Sequence, residues 1–165
     1  MIDARTALRG AVTFVSGVIT GRFVDQLLTD AVGFSRLDGL SYARVHDAIS
    51  FANMRTMLPL GIAAATSLLA LAVWDRDAGT VAQLTWFAAG CAATELAITF
   101  AFFLPLNAAI EALLSGPLPP GWRTIRDRWV FIQGLRTGII LLEFSSLLVA
   151  WRLRPASRQP QIAPA

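Results

Sequence analysis

Four long apolar stretches dominate the chain, and polar or turn-forming segments separate them. The stretches cover residues 7–33, 56–74, 81–106 and 129–151. About 20 residues of helix cross a bilayer, so each stretch is long enough to span one. None of them alternates apolar and polar positions as a membrane β-strand would, and a continuous helix pairs every backbone group in lipid. The pattern therefore predicts an all-α fold, an integral membrane four-helix bundle.

The segments between the stretches differ in length. Residues 74–80, WDRDAGT, indicate a tight polar turn, whereas residues 105–128 form a longer connection that SGPLPPG must interrupt. The connection 34–55 contains an amphipathic piece, residues 42–54. We expect this piece to form an interfacial helix between the first two spans. The positions on its apolar face follow a 3–4 spacing: Tyr42, Val45, Ile49 and Ala52.

The end of the chain has a different character. From Pro155 the sequence PASRQPQIAPA contains prolines, little apolar content and no periodicity. Such a segment cannot bury enough apolar surface to order itself. We therefore expect residues 1–154 to form the four-span bundle and residues 155–165 to be a disordered tail.

Composition agrees with a membrane protein. The chain has 165 residues, of which 55% are hydrophobic and 15% charged, and its mean hydropathy is +0.58. A soluble domain carries about 25% charged residues, so an ordinary soluble enzyme, a coiled coil and a disordered chain are excluded. All 14 basic residues are arginines, scattered between the apolar stretches. They form no continuous basic stripe, and we therefore expect no nucleic-acid partner.

The sequence contains few residues that could bind a metal ion or a phosphate group. The chain has one cysteine, Cys91, and one histidine, His46. These numbers exclude an internal disulfide framework, a thiolate metal cluster and a haem held by two histidines of one chain. Gly-rich phosphate loops and nucleophile elbows are also absent from the sequence. We expect no metal site.

Four spans place both termini on one side of a membrane, and arginine counts do not choose that side. Each side carries six arginines: Arg5, Arg9, Arg76, Arg152, Arg154 and Arg158 against Arg36, Arg44, Arg55, Arg123, Arg126 and Arg128. Arg5, Arg9, Arg152 and Arg154, on the side of the termini, directly flank the first and fourth spans, which favours cytoplasmic termini in a bacterial plasma membrane.

Ionisable residues inside a span cost about 2.5–3.5 kcal/mol each on insertion scales, which makes them functional candidates. They are Arg22, Asp25, Glu95, Arg136 and Glu143. At 1.5 Å per residue, Arg22, Glu95 and Arg136 reach a similar depth on three helices. Glu143 falls two turns deeper, as a separate structural group. A structural alternative is that Arg22 and Asp25, three residues apart, neutralise each other.

Two further groups lie near the predicted membrane surface. Asn107 and Glu111 are spaced i, i+4 after Pro105, so that both can face one way. Arg55 lies with Asn53 and His46 in the first long connection. His46 can titrate near neutral pH, although an amphipathic anchor is the simpler role for a single interfacial histidine.

The second half of the chain resembles a known family. LPLNAAIEAL (104–113), Trp122 and RDRWVFIQGLRTGIILLEF (126–144) resemble the small four-helix membrane proteins grouped with anthrone oxygenases. At Gln133 family members often have Asn or His. The matching motif positions are Pro105, Asn107, Arg128, Trp129, Arg136 and Thr137. The resemblance implies a multi-pass protein whose characterised relatives oxidise anthrones to anthraquinones without flavin or haem.

On this basis we expect a cofactor-independent membrane monooxygenase that acts with molecular oxygen on a lipophilic aromatic polyketide taken from the bilayer. Glu95 is the expected base, Asp25 the second choice, and Arg136 the partner of the developing oxyanion, because burial strengthens a carboxylate as a base and a fixed charge stabilises the anion. Expected substrate-binding residues are Arg22, His46, Arg55, Asn107 and Trp129. The alternative is a non-enzymatic protein that binds a quinone or lipid or supports a membrane complex.

Overall fold

The structure, a computed structural model, describes residues 3–153, and these form four long helices. The helices are α1, Ala4–Ser35; α2, Gly39–Trp74; α3, Thr80–Leu114; and α4, Trp122–Arg152. Each is long and apolar enough to cross a membrane, and the described part of the chain contains no β-strand. The all-α, four-helix prediction is therefore confirmed. The tail predicted for residues 155–165 lies outside the described residues.

Short turns of three to seven residues join the helices: 36–38, 75–79 and 115–121. The Asp38 side chain accepts hydrogen bonds from the backbone amides of Leu40 and Ser41 and so caps α2. The hydrogen bonds from Ser41 hold the pKa of Asp38 below its ordinary value. Gly79 adopts φ +57°, in the left-handed region that favours glycine, and α3 begins after it. The predicted turn at 74–80 and the helix break at 115–121 are both present.

α2 is one continuous helix, so the prediction of a separate interfacial helix is wrong. The amphipathic piece 42–54 is the first half of α2 and continues directly into the apolar span. Asp38 caps the helix start, and no glycine or proline interrupts residues 40–58. Of the predicted face, Tyr42 is buried, whereas Val45 is exposed.

The helices are longer than a bilayer needs. With 31 to 36 residues each, they measure about 46–54 Å, against a hydrocarbon core of about 30 Å. We call the end with turns 36–38 and 115–121 the loop end, and the end with turn 75–79 the terminal end. Residues that the sequence pattern predicts as connections, 39–55 and 107–114, are helical and lengthen the bundle at its loop end.

The helices pack as a closed ring, in which α1 contacts α2, α2 contacts α3, α3 contacts α4, and α4 returns to α1. Each helix is therefore antiparallel to both neighbours, as short turns require. A buried aromatic and aliphatic group, the loop-end cluster, closes one end of the ring. Its members are Phe34, Tyr42, Ala43, Phe103, Ile110, Leu113 and Trp129. Nearer the terminal end the core consists of Val12, Leu68, Ala88, Ala92 and Leu147.

Two helices contain a π-helical turn. It covers Gln26–Asp30 in α1 and Thr99–Phe103 in α3. A π turn inserts one residue into the helical repeat and therefore re-aims the side chains that follow, and such turns are frequent at functional sites. Gln26, Thr99 and Phe103 all line the internal cavity described below.

The start of α2 allows a packing test at Gly39. A Cβ there would lie 2.7 Å from Leu118 Cδ1 and 3.0 Å from a ring carbon of Trp122. We expect Gly39→Ala to lower the free energy of unfolding by about 1–3 kcal/mol, because overpacking forces these side chains to shift. The measurement is thermal unfolding in detergent. Gly90→Ala is the matched control, because Gly90 lies at an exposed position of α3 and open space surrounds it. Equal stability of the two variants would contradict tight packing around Gly39.

Candidate functional site

A cavity of about 80 Å³ lies inside the bundle, and all four helices line it. α2 forms its least tightly packed wall. The buried residues of α2 lie at its two ends, up to His46 and again from Leu68, and none lies in between. Pro59 and Gly61 fall within this middle segment, where proline removes a helical hydrogen bond. α2 is therefore buried most deeply at its two ends, and between them partly buried side chains such as Leu60 and Ala64 pack against the core.

The size of the cavity suits more than a single water. The 80 Å³ is the volume open to the centres of water molecules, and one water needs about 10–15 Å³ of it. The cavity therefore has room for roughly five to eight waters, which occupy about 150–240 Å³ as liquid. Its lining combines apolar and polar side chains. The polar ones are Arg22, Gln26, Ser50, Asn53, Glu95, Thr99, Asn107, Arg136 and Glu143.

Glu95 of α3 and Arg136 of α4 form a buried ion pair in the cavity wall. Arg136 donates from Nε at 2.9 Å and from Nη2 at 2.7 Å, both to Oε1 of Glu95. Thr99, one turn after Glu95, donates to the same oxygen at 2.8 Å. The second oxygen, Oε2, has no hydrogen-bond partner among the described residues. Glu95 therefore keeps one acceptor oxygen for a ligand, while its negative charge is balanced by Arg136.

The guanidinium of Arg136 is held on three sides. Its central carbon lies 3.8 Å from the ring centre of Phe103 and 4.7 Å from that of Phe23. Such cation–π contacts are strengthened where water is excluded. Gln133, one turn earlier on α4, accepts a hydrogen bond from Arg136 Nη1 at 3.1 Å. Gln133 is thus a direct partner of Arg136 and helps to hold its guanidinium in place.

Glu143 also lines this cavity, which the sequence analysis did not predict. Ser16 of α1 donates a hydrogen bond to Oε1 of Glu143 at 2.8 Å, and no ion pair to Glu143 occurs among the described residues. Glu143 follows Arg136 by seven residues, which is two helical turns and hence the same face of α4. The seven-residue spacing is a signal in the sequence that could have placed Glu143 beside the same cavity. The expectation that Glu143 is a separate group considered only its greater depth in the membrane.

Asn107 connects the cavity with the loop-end cluster. Its side-chain oxygen accepts a hydrogen bond from Trp129 Nε1 at 3.0 Å, and Trp129 is almost fully buried. Asn107 lines the cavity, whereas Trp129 lies behind it. Because its oxygen is engaged by the indole, the Asn107 amide nitrogen is the group available to a ligand as a donor. Asn107 and Trp129, both expected from the sequence to bind substrate, are therefore joined by one hydrogen bond.

His46 is buried among aromatic rings rather than placed at a surface. Its ring centre lies 5.1 Å from that of Trp129 and 5.6 Å from that of Tyr42. Nδ1 lies 3.3 Å from the hydroxyl of Ser50, a residue that lines the cavity. His46 therefore reaches the cavity only through Ser50. The predicted amphipathic anchor is wrong, because α2 turns this face inward.

Two predicted site residues lie outside the cavity. Arg55 is exposed, with its guanidinium carbon 4.2 Å from the ring centre of Phe51. The Asp25 side chain is 55% exposed and accepts a hydrogen bond from Arg22 Nη1 at 2.9 Å. Neither residue is part of the cavity lining. A direct role for either in a reaction inside the cavity is not supported by these positions.

Arg22 contacts both the outer side of α1 and the cavity. It pairs with Asp25 at 2.9 Å and with Asp30 at 3.1 Å, and it lines the cavity as well. Its charge is therefore largely balanced on the outer side of α1, as the structural alternative required. Together with Glu95 and Arg136 it completes the layer of charges expected at one depth, because all three residues border one cavity.

Cofactor and family comparisons add few constraints. Within residues 3–153, no three His, Cys, Asp or Glu side chains are close enough to hold a metal ion. No protein-family model, no curated protein and no solved structure matches the chain.

Proposed function

We propose that the bundle is a multi-pass protein of the cell membrane with cytoplasmic termini. Four helices of sufficient length and apolar character support this, together with large apolar side chains on the outer surface. Phe14, Leu28 and Phe131 are each more than 60% exposed. A soluble protein rarely exposes so much contiguous apolar surface, whereas lipid accommodates it.

Within the membrane we propose a cofactor-independent oxygenase of lipophilic aromatic compounds, with an anthrone-like phenolic ketone as substrate and molecular oxygen as oxidant. The observation that carries the proposal is the cavity itself, where a buried ion pair and a second buried carboxyl lie among apolar and polar side chains. Charged groups at such depth are costly and therefore indicate function. The resemblance of residues 104–113 and 126–144 to anthrone oxygenases supports the same activity.

The walls of the cavity suit a flat molecule with oxygen atoms on its edges. Phe23 and Phe103 offer ring faces and edges, and Met54 and Met57 offer adaptable apolar contact. The Asn107 amide can donate to a carbonyl, and the carboxyl oxygens can accept from a phenol. We propose that such a ligand enters the cavity past the middle of α2, directly from the bilayer.

The proposed reaction converts a ring methylene to a carbonyl. A base removes one methylene proton, and the electron pair remains on the ring as an aromatic enolate. The enolate gives its electrons to O₂, a C–O bond forms, and protonation yields a hydroperoxide. Removal of the second methylene proton then breaks the O–O bond, so that the products are the quinone carbonyl and water. The substrate loses four electrons and O₂ gains four.

Arg136 is the proposed partner of the enolate oxygen, and Asn107 a second donor. A fixed charge that need not reorganise stabilises the anion most where water is excluded. Arg136 meets this requirement because Gln133, Glu95 and two rings hold it in place. The base must be a cavity carboxyl, Glu95 or Glu143, because the Asp25 side chain faces outward.

The direct test is oxidation of an anthrone by membranes that contain the protein. We expect faster appearance of quinone absorbance and of oxygen consumption than in matched membranes with the Arg136→Ala variant. Isotopically labelled O₂ should place one oxygen in the quinone carbonyl. No acceleration over empty membranes, across several anthrones, would contradict the proposed activity.

A second candidate is a binding protein for quinones or lipids, and one observation favours it. Gln26, Asn53 and Asn107 present side-chain amides to the cavity, and amides donate well to quinone carbonyls. This function predicts saturable binding of a quinone without oxygen consumption. The same membranes, assayed for quenching of tryptophan fluorescence by an anthraquinone, distinguish the two functions.

A further inference from the structure

The cavity contains two carboxyl groups in contrasting surroundings. Glu95 receives three hydrogen bonds on one oxygen, two of them from a guanidinium. Glu143 receives one, from the neutral hydroxyl of Ser16. Both side chains are at least nine-tenths buried. The difference between the two carboxyls is therefore the cation beside Glu95.

That difference assigns different chemistry to the two groups. A carboxylate in contact with Arg stays ionised and is a weak base, because proton binding would break the ion pair. A buried carboxyl without a cation takes a proton more readily. Pairs of titratable groups whose surroundings differ in this way are typical of acid–base sites.

From this geometry we propose that Glu143 is the proton-exchanging group of the cavity, and that Glu95 remains the ionised counter-ion of Arg136. The inference rests on the proposed oxygenase function and changes the base within it. The chain's own sequence favoured Glu95 by depth, but the ion pair with Arg136 makes Glu95 unsuitable as the base.

The charged and titratable groups that surround Glu143 come from three helices. α3 contributes Glu95 and the half-buried thiol of Cys91, α4 contributes Arg136, and α1 contributes Arg22 at the far side of the cavity. α2 contributes neutral lining residues only. Arg136 is the nearest cation along α4, and it is already paired with Glu95.

In the proposed reaction, Glu143 first accepts the methylene proton: the C–H bond breaks, an O–H bond forms on the carboxyl, and the electron pair stays on the ring. After O₂ has added, Glu143 returns this proton to the terminal peroxide oxygen. It then takes the second methylene proton as the O–O bond breaks and the C=O bond forms. Transfer of that proton to the departing hydroxide gives water and regenerates the carboxylate.

The first test is infrared spectroscopy of the purified protein across pH, in H₂O and D₂O. We expect a carbonyl band of a protonated carboxylic acid that titrates and shifts in D₂O. Glu143→Gln should remove this band, and Glu95→Gln should leave it in place. A band that persists in Glu143→Gln, or that disappears only in Glu95→Gln, would overturn the assignment, and this result does not depend on any substrate.

The second test is anthrone turnover by variants at position 143. We expect Glu143→Gln to lower kcat by about 100- to 10,000-fold, the usual contribution of a general base. Binding of an anthraquinone should stay within a few-fold of the wild type. Glu143→Asp keeps the carboxyl and should retain part of the activity, with a shifted pH profile, which separates loss of a base from loss of folding.

The outcomes distinguish this inference from the proposed function. Active wild type with near-normal Glu143→Gln overturns the role of Glu143 and leaves the oxygenase intact. Inactive wild type overturns the oxygenase and with it the catalytic step. In that event the infrared band at Glu143 still decides whether this residue or Glu95 exchanges the proton of the cavity.

Discussion

Replacement of Arg136 by alanine is expected to have a large effect on both activity and stability. Anthrone turnover should fall by at least about 100- to 1,000-fold, because the fixed charge that we propose stabilises the enolate oxygen is lost. The free energy of unfolding should fall by about 3–5 kcal/mol, because Glu95 would stay buried without its cation. Thermal unfolding in detergent and quinone absorbance measure the two effects separately.

A double variant separates the structural from the chemical role of this ion pair. Glu95→Gln combined with Arg136→Met removes both charges, and neutral replacements of a buried pair are often close to neutral in stability. We expect the double variant to regain much of the stability that Arg136→Ala loses and to remain inactive. Recovery of activity together with stability would mean that Arg136 serves packing alone. Near-normal turnover in Arg136→Ala would likewise refute its role with the enolate.

The second large effect is expected at Asp75, at the terminal end of the bundle. Asp75 is completely buried and directly follows α2. It accepts a hydrogen bond from Arg5 Nε at 2.6 Å and forms a buried ion pair with Arg9. Thr85 of α3 donates to it at 3.3 Å. One carboxylate thus joins α1, the turn 75–79 and α3.

Asp75→Asn should therefore lower the free energy of unfolding by about 3–5 kcal/mol, because it removes the carboxylate that pairs with the buried guanidinium of Arg9. The measurement is the midpoint of thermal unfolding in detergent, together with the amount of protein that accumulates in membranes. Asp77→Asn is the matched control in the same turn. The side chain of Asp77 is 91% exposed, and its pair with Arg76 should contribute less than about 1 kcal/mol.

The Asp75 variant also tests how independent the two ends of the bundle are. Its ion pairs lie at the terminal end, and none of the residues involved lines the cavity. Protein that does fold should keep its affinity for an anthraquinone. Equal stability of Asp75→Asn and Asp77→Asn would show that the terminal-end ion pairs do not hold the turn in place.

The sequence by itself determined the number of helices, the turns and the approximate depth of the charges. Lipid-length apolar stretches leave helix as the only way to pair the backbone, and WDRDAGT and SGPLPPG cannot continue a helix. Depth follows from position because the rise per residue is constant. For this reason Arg22, Glu95 and Arg136 were expected at one level, and they do border one cavity.

The tertiary structure alone decided which charges face one another. A linear pattern gives the height of a side chain but not the rotation of its helix about the axis, and rotation depends on packing against the other helices. The same rotation directs Asp25 outward, buries His46 against Trp129 and brings Glu143 to the cavity. Only the packed bundle places Arg136 beside Glu95 and leaves Glu143 with a neutral partner, because both arrangements depend on contacts between helices distant in sequence.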